Sequence, residues 1–370
     1  MSVLSTRALN RTLLRRQLLL DRSPCSAPQA IHQLVALQAQ EPNCPHVGLW
    51  CRLRDFRQAD LDALYGDRSV VRGVMLRRTQ HLASGDDFRW LRPSIQPIVD
   101  SALKTPYYQR EIEGLDLDKV AAAGRRLLKD RTLTRREFGR LMAAEFPGRH
   151  GGRLAATVEI KEALVHPPPT GLWGAWGNRP EISVALAEEW LQAPMAEGPQ
   201  PRQLILRYLA AFGPATVADL QVWAGITKLL PVVKDLRPQL TTFRDEQGRE
   251  LFDVPDAPLA SADEPAPVRF LPAFDNVALS HKDRTRIMSE EDRRRIAPEA
   301  SYGVPLFLVD GFVHGRWALD RGKLVVSPFR PLSKSERAAV REEGEQLLRF
   351  IAAGGTGSDD PDVVFAPDGD

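Results

Sequence analysis

The sequence lacks the signatures of several large enzyme classes. It contains no GxxxxGK[ST] loop, no GxGxxG after a strand, no GxSxG motif and no HExxH pair. It also lacks an apolar run near the roughly 20 residues that a membrane span requires, and it has no secretory signal pattern at its start. These absences argue against nucleotide hydrolysis, dinucleotide redox chemistry, zinc catalysis and membrane insertion. We therefore expect a cytoplasmic protein that needs no cofactor and makes no membrane contact.

Cysteine is scarce. The three cysteines, Cys25, Cys44 and Cys51, are odd in number and show none of the paired spacings of a zinc site or a disulfide framework. The seven histidines form no metal-ligand motif either. The sequence predicts reduced, structural cysteines and no metal.

Net charge is also small. The 50 basic residues exceed the 48 acidic ones by only two, so overall charge does not indicate a nucleic-acid partner. Only 9 of the basic residues are lysine, and the 41 arginines recur in doublets and one triplet. Two interpretations stay open at this point, because arginine suits planar phosphate contacts but clustered arginines are equally typical of solvated helix faces.

Helical spacing dominates the N-terminal region. Ser5 can cap a helix with apolar residues at positions 9, 13, 14 and 18, and a second helix is predicted from about Ala27 to Gln38. Residues 69–93 then combine two short β-like runs with a helix that begins at Ser84 or Asp86.

A recurrent pattern of helices followed by a glycine-containing hairpin begins near residue 119. Thr134 and Glu137 form a capping-box pattern in its first copy, and Thr216 and Asp219 do so in the clearer second copy. That copy continues through a candidate recognition helix at 228–240 and a strand–turn–strand at 240–255. This layout is typical of a winged helix, and the alternative is a helical pair beside an unrelated hairpin.

The C-terminal part is rich in strands. Its short β-like pieces predict a small sheet or barrel, followed by a helix capped by Ser333 or Ser335. The last twenty residues are acidic and rich in glycine, aspartate and proline, so we expect them to be disordered.

Two glutamines one residue apart, Gln38 and Gln40, stand at the end of the second predicted helix. Residues two apart point about 200° away from each other in an ideal helix but to the same side in an extended chain. Pro42 disfavours helical conformation at Glu41. We therefore expect the helix to end near Gln38 and both amides to point the same way.

Five ordered segments carry a resemblance to a known family. They are LVALQAQEPNCPHVGLWCRL, VMLRRTQHLASGDDFRWLRP, GPATVADLQVWAGI, RFLPAFDNVALSHKDRTRI and LFLVDGFVHGRWAL. Together they resemble the AlkZ/YcaQ-type winged-helix DNA glycosylases from about residue 4 to residue 350. The resemblance implies an α+β fold in which tandem winged-helix modules form a C-shaped arrangement with a small C-terminal β-barrel. The expected units are an N-terminal module at 1–118, winged helices at 119–195 and 196–262, a barrel with its helix at 263–350, and an acidic flexible tail at 351–370.

The resemblance also implies the site residues. The family's catalytic motif, glutamine, an aliphatic residue, then glutamine or aspartate, falls on Gln38, Ala39 and Gln40. Ala39 is small for its position, and Gln40 resembles the branch associated with bulky alkylating antibiotics and self-resistance of the producer. Arg77, Thr79 and His81 match the second segment, whereas Arg78 stands where the family has a small residue. The candidate DNA contacts are Arg77, Arg78, His81, His281, Lys282, Arg284, His314 and Arg316.

The expected activity is hydrolysis of the N-glycosidic bond of N7-alkylated guanine, including interstrand crosslinks, in double-stranded DNA. No lysine stands near the motif to form a Schiff base, which favours a monofunctional enzyme. We expect a monomer associated with the nucleoid. The alternatives are a winged-helix transcriptional regulator without catalysis and an inactive scaffold or lesion sensor.

Overall fold

The computed structural model describes residues 2–174, 176, 181–299, 303–357 and 361–366. Its strands form three sheets of three strands and one sheet of five strands. Most buried apolar side chains belong to one continuous cluster, and a second cluster lies within residues 120–186. The mixed α+β class predicted from the sequence is confirmed.

The N-terminal region surrounds a small sheet with strand order β2-β4-β3. Its elements are β1 (Val3–Leu4), α1 (Thr6–Arg16), α2 (Ala27–Leu34), β2 (Leu37–Gln38), α3 (Cys44–Trp50), α4 (Gln58–Gly66), β3 (Val70–Val74), β4 (Gln80–Ser84), α5 (Gly85–Ser94), α6 (Gln96–Asp100) and α7 (Pro106–Ile112). A short 3₁₀ turn, Leu76–Arg78, joins β3 to β4.

The second region contains three packed helices and a sheet with strand order β5-β7-β6. Its elements are α8 (Leu117–Leu128), β5 (Leu133–Thr134), α9 (Arg135–Glu145), α10 (Gly151–Lys161), β6 (Leu164–Val165), β7 (Ser183–Leu186) and α11 (Ala187–Leu191).

The third region repeats this layout, with three helices followed by a hairpin. Its elements are α12 (Pro201–Phe212), α13 (Val217–Ala224), α14 (Leu230–Leu236), β8 (Thr241–Asp245) and β9 (Glu250–Asp253). The N-terminal strand β1 pairs in parallel with β8 and completes this sheet. The predicted N-terminal module thus contributes its first strand to the sheet of the third region, far away in sequence.

The C-terminal region has a sheet with strand order β10-β11-β12-β13-β14. Its elements are β10 (Arg269–Leu271), α15 (Asn276–Leu279), α16 (Glu290–Ile296), β11 (Leu306–Val309), β12 (Phe312–Asp320), β13 (Lys323–Pro328), α17 (Lys334–Ile351) and β14 (Val363–Phe365). Within the described residues no pairing joins β10 to β14, so the closed barrel that we expected is replaced by an open sheet.

The prediction of a disordered acidic tail was also wrong in part. Residues Val363–Phe365 pair in parallel with β13, and the guanidinium of Arg337 lies 3.9 Å from the Phe365 ring centroid. Val363 is buried, so apolar residues within the acidic composition bind this segment to the sheet. The rest of the predicted tail, 358–360 and 367–370, lies outside the described residues.

Several predicted helix starts are confirmed by their caps. The side chains of Ser5, Thr134 and Ser333 accept hydrogen bonds from the first turns of α1, α9 and α17. Thr216 and Asp219 form a reciprocal capping box at α13. Side-chain oxygens satisfy the backbone N–H groups that a helix start leaves unpaired, which explains why these starts could be found from local sequence.

Buried ion pairs connect distant parts of the chain. Arg52, two residues after the end of α3, donates two hydrogen bonds of 2.8 Å to the carboxylate of Asp275, the cap of α15. Arg16 of α1 does the same with Asp253 of β9.

Within the described residues no helix is long and apolar enough to cross a membrane.

Candidate active site

The glutamine motif begins on an extended segment and leaves it at Gln40. Helix α2 ends at Leu34, four residues earlier than predicted, and Val35 has a positive φ of 67° that turns the chain. Leu37 and Gln38 then pair with β4 in antiparallel register, and the N–H of Ala39 donates to the carbonyl of Gln80 at 2.8 Å. The predicted end of the helix was wrong because pairing with β4 replaces the last helical turn. Extended chain was predicted after Gln38, whereas the strand consists of Leu37 and Gln38 and gives way to a bend at Gln40.

Backbone donors hold both glutamine carbonyl groups. The N–H of Gln40 donates to Oε1 of Gln38 at 2.6 Å, and the N–H of Gln80 donates to Oε1 of Gln40 at 3.3 Å. Gln38 is only 5% exposed, whereas Gln40 is exposed. An amide oxygen has two lone pairs, so each carbonyl keeps acceptor capacity after its backbone contact.

His81 lies directly across the sheet from Gln38. Its Nδ1 is 3.0 Å from the carbonyl oxygen of Thr79, which requires Nδ1 to carry the proton. Nε2 is then an acceptor, and it lies 3.5 Å from Nη2 of Arg77. Burial, together with the nearby Arg77 charge, lowers the pKa of His81 to about 3. The ring is therefore neutral at physiological pH.

The hairpin tip next to the motif carries two arginines in left-handed conformation. Arg77 has φ 53° and Arg78 has φ 63°, which is uncommon for residues other than glycine. Arg77 donates to the carbonyl of Trp223 at the end of α13, at 2.9 Å, and this contact helps fix the turn. Burial, and then the charge of Arg284, lower the pKa of Arg77 to about 10. Arg78 is exposed at the tip.

The connection after α15 holds three further candidates in different environments. Lys282 is exposed, and Arg284 is half-buried with a guanidinium that forms no hydrogen bond or ion pair to any other described residue. His281 is 1% exposed, and its ring nitrogens lie 2.9 Å from the Ser280 hydroxyl and 3.2 Å from the Phe212 carbonyl oxygen. Its ring is enclosed and both nitrogens are engaged within the protein, so the contact between His281 and DNA stays a prediction that this environment does not favour.

His314 and Arg316 lie on β12 of the C-terminal sheet. His314 is 7% exposed, packs near Phe307 and has Nε2 3.2 Å from the carbonyl oxygen of Arg330, so its contact with DNA stays a prediction that this environment does not favour. Arg316 is partly exposed and forms an ion pair with Glu299. A phosphate would have to compete with that carboxylate.

Three buried polar residues beside the motif were missed by sequence reasoning. Arg72 of β3 donates from Nε to the carbonyl of Ala39 at 2.9 Å, and its Nη1 lies 2.7 Å from Nδ1 of His166. Nε2 of His166 lies 2.7 Å from Oε1 of Glu159. A charged residue inside the apolar run SVVRGVML was the available signal for Arg72. Nothing local pointed to His166 or Glu159, which are distant in sequence.

The fold and this site fit a class of enzymes that act on DNA. A family model described as DNA glycosylase AlkZ-like matches residues 31–350. The chain belongs to this family, so it is a DNA glycosylase that hydrolyses N-glycosyl bonds and has DNA as its substrate.

Two individual comparisons agree with the family. The chain is 24% identical to an interstrand DNA cross-link repair glycosylase of Streptomyces sahachiroi over 362 residues, which are 91% of this chain and 94% of that protein. The solved structure of Streptomyces sahachiroi DNA glycosylase AlkZ has a similar fold, with a TM-score of 0.79 and 23% identity. That match covers 98% of this chain and 100% of the other.

Proposed function

We propose that this glycosylase releases N7-alkylated guanine, as a bulky adduct or an interstrand crosslink, and that Gln38 and Gln40 are its catalytic residues. The observation that carries the proposal is the extended segment at Gln38, with both amide carbonyl groups held by backbone N–H donors. Gln40 lies at a bend just after the strand, but the Gln38 side-chain carbonyl contacts the Gln40 N–H and the Gln40 side-chain carbonyl contacts the Gln80 N–H, so the two amides are close together and suit one reacting centre.

Amides fit a substrate that is already activated. Glutamine cannot act as a general acid or base near neutral pH. An N7-alkylated guanine carries positive charge and leaves as a neutral base, so no acid is needed. The remaining requirements are stabilisation of the oxocarbenium-like sugar and placement of a water near C1′. Fixed carbonyl dipoles can stabilise that developing cation, and amides can orient the water.

The surroundings of the motif support this assignment. His81 is neutral, so it adds no positive charge where the cationic sugar would form. Arg78 at the hairpin tip, Lys282 and Arg284 offer positive charge to the DNA backbone. Arg77 contributes to this field although its guanidinium is bonded to Trp223. Arg316 is a further candidate contact at the C-terminal sheet.

The wider architecture is proposed on the same basis. The helices and hairpins of the first three regions act as tandem winged-helix modules that form a concave DNA surface, with the boundaries expected from the sequence except that strand β1 joins the sheet of the third region. The relative named as a cross-link repair glycosylase supports crosslinked DNA as a substrate of this chain. We further propose that the enzyme works as a monomer, lacks strand-cleaving activity and protects a producer from its own DNA-alkylating product.

One assay tests the reaction. The protein is incubated with duplexes that contain N7-methylguanine, an N7-guanine crosslink or undamaged guanine, and released base and abasic sites are quantified. Release is expected from the first two duplexes alone. Excision of an uncharged base, such as the undamaged guanine of the third duplex, would contradict the mechanism. Tight binding to one undamaged sequence without base release would instead favour a regulator.

A further inference from the structure

Arg72 contacts the peptide group between the two glutamines. It occupies the middle of β3, is 3% exposed, and donates from Nε to the carbonyl oxygen of Ala39 at 2.9 Å. The N–H of the same peptide group, which belongs to Gln40, donates to Oε1 of Gln38 at 2.6 Å. The chain of contacts therefore runs from the Arg72 guanidinium through the Ala39–Gln40 peptide group to the side-chain carbonyl of Gln38.

This arrangement couples Arg72 to the direction of the Gln38 side chain. A guanidinium that donates to a carbonyl polarises the peptide and strengthens donation by its N–H, since linked hydrogen bonds reinforce each other. Both ends of the peptide are fixed, so its plane can rotate only by breaking one of the two contacts. Without Arg72, the Ala39 carbonyl would lose a charged donor in a buried place.

A buried network holds Arg72 itself in position. Nδ1 of His166 faces a guanidinium donor and must accept, so Nε2 carries the proton and donates to Glu159 at 2.7 Å. The second carboxylate oxygen of Glu159 accepts from Arg135 at 2.5 Å. Burial lowers the pKa of His166, in agreement with a neutral ring. The cation of Arg72 is thus linked through a neutral imidazole to a carboxylate in the second region.

The close approach of the first and second regions makes this network possible. The N–H of His166 donates to the carbonyl of Arg72 at 2.7 Å. Gly73 follows Arg72, and a Cβ there would lie 2.9 Å from the carbonyl oxygen of Leu164. A larger residue would push β3 away from β6, and Arg72 would no longer reach His166.

We propose that Arg72 is a positioning residue of the glycosylase reaction, which orients the Gln38 carbonyl through the Ala39–Gln40 peptide, with His166 and Glu159 holding its guanidinium. The inference rests on the proposed catalytic role of Gln38. It assigns to the second region a part in catalysis in addition to any contact with DNA.

The test compares two buried arginines. Arg92 of α5 is 1% exposed and also links the first region to α10, through a 2.9 Å hydrogen bond to the carbonyl of Ile160, but has no contact with the motif. Arg72→Lys keeps the charge and loses the planar fork, and Arg92→Lys is the matched control. Single-turnover excision of N7-methylguanine, duplex affinity and urea unfolding are measured for both variants.

We expect Arg72→Lys to slow excision about 10- to 100-fold, since misplacement of a catalytic group by 1 Å can cost about 100-fold, with duplex affinity unchanged. Arg92→Lys should lose stability but keep its excision rate. Equal rates for two folded variants would overturn the proposal. If Arg72→Lys does not fold, Glu159→Gln is tested in its place and should slow excision by a smaller factor. An unchanged excision rate in Glu159→Gln would also overturn the proposal.

A double-mutant cycle separates positioning from general loss of structure. Arg72→Lys should slow the parent enzyme but add little in the Gln38→Ala background, because both changes remove the same oriented carbonyl. Full additivity would show that Arg72 acts independently of Gln38 and would contradict the inference. If Gln38→Ala itself retains full activity, the proposed function fails rather than this inference alone.

Discussion

Gln38 and His81 are paired on the neighbouring strands β2 and β4, where the neutral imidazole of His81 lies beside the nearly buried amide of Gln38. This relationship places a potential cation, kept uncharged by burial, next to the side chain that we assign to stabilise positive charge. It ties the chemistry of the site to the stability of the fold, and the predictions below test both.

The two glutamines should be separable from DNA binding. We expect Gln38→Ala and Gln40→Ala each to reduce the single-turnover rate of N7-methylguanine release by about 100-fold, the usual order for removing one fixed dipole from a reacting centre. Duplex affinity should stay within about threefold, as expected for an interaction made in the transition state. Gln203→Ala, on the exposed side of α12, is the control. Parallel loss of binding and rate would indicate a role in DNA recognition instead.

Glu41, the residue after the motif, tests whether a carboxylate performs the chemistry. If the amides suffice, Glu41→Gln should lower the excision rate by no more than about threefold. Removal of a general base would instead lower it by about 10²–10⁴-fold. The pH–rate profile of this variant should match that of the parent enzyme. Loss of activity together with loss of the acidic limb of the profile would identify Glu41 as a general base and contradict the amide mechanism.

Acid should destabilise the fold through buried histidines. The pKa of His81 is about 3 in the folded chain and about 6.5 when unfolded, so between these values only the unfolded chain takes up the proton. The free energy of unfolding should therefore fall as pH drops from 6.5 towards 3, by roughly 1 kcal/mol per pH unit for this group. His81→Gln should show a shallower decline in urea unfolding between pH 7 and pH 5. Identical slopes would be inconsistent with a buried neutral ring.

The Arg52–Asp275 pair should be important for stability. Asp275→Asn leaves a buried guanidinium without its carboxylate, a change that typically costs about 3–5 kcal/mol of unfolding free energy. Glu250→Gln, which removes the partly exposed partner of Arg237, should cause no measurable loss. Chemical denaturation of both variants checks the contrast. Similar stabilities would mean that Arg52 finds another partner or water in the variant.

Arg78 should act through the DNA backbone. Its exposed position at the hairpin tip predicts a phosphate contact, so Arg78→Ala should weaken binding to damaged and undamaged duplexes alike. The slope of log affinity against log salt should decrease by about one. Arg337→Ala, where the guanidinium covers Phe365 on the C-terminal sheet, provides the control. An unchanged slope for Arg78→Ala would remove this residue from the interface.

Local chemistry explains which parts of the fold were predictable. Caps at Ser5, Thr134, Thr216 and Ser333 depend on residues within one helical turn, and these helices begin where the sequence indicated. The C-terminal boundary of α2 depends on pairing with β4, more than forty residues later in the chain, and was misplaced. The open C-terminal sheet and the docked strand β14 likewise follow from pairings between distant segments.

The sequence by itself determined the family through ordered segments along nearly the whole chain, and it determined the helix starts whose caps lie within one helical turn. Tertiary structure alone decided the environment of each candidate. It enclosed His281 and His314 and left Arg78 and Lys282 in solvent. It also brought Arg72, His166 and Glu159 behind the motif. Burial and partner choice are set by contacts between residues far apart in sequence, and no local pattern records them.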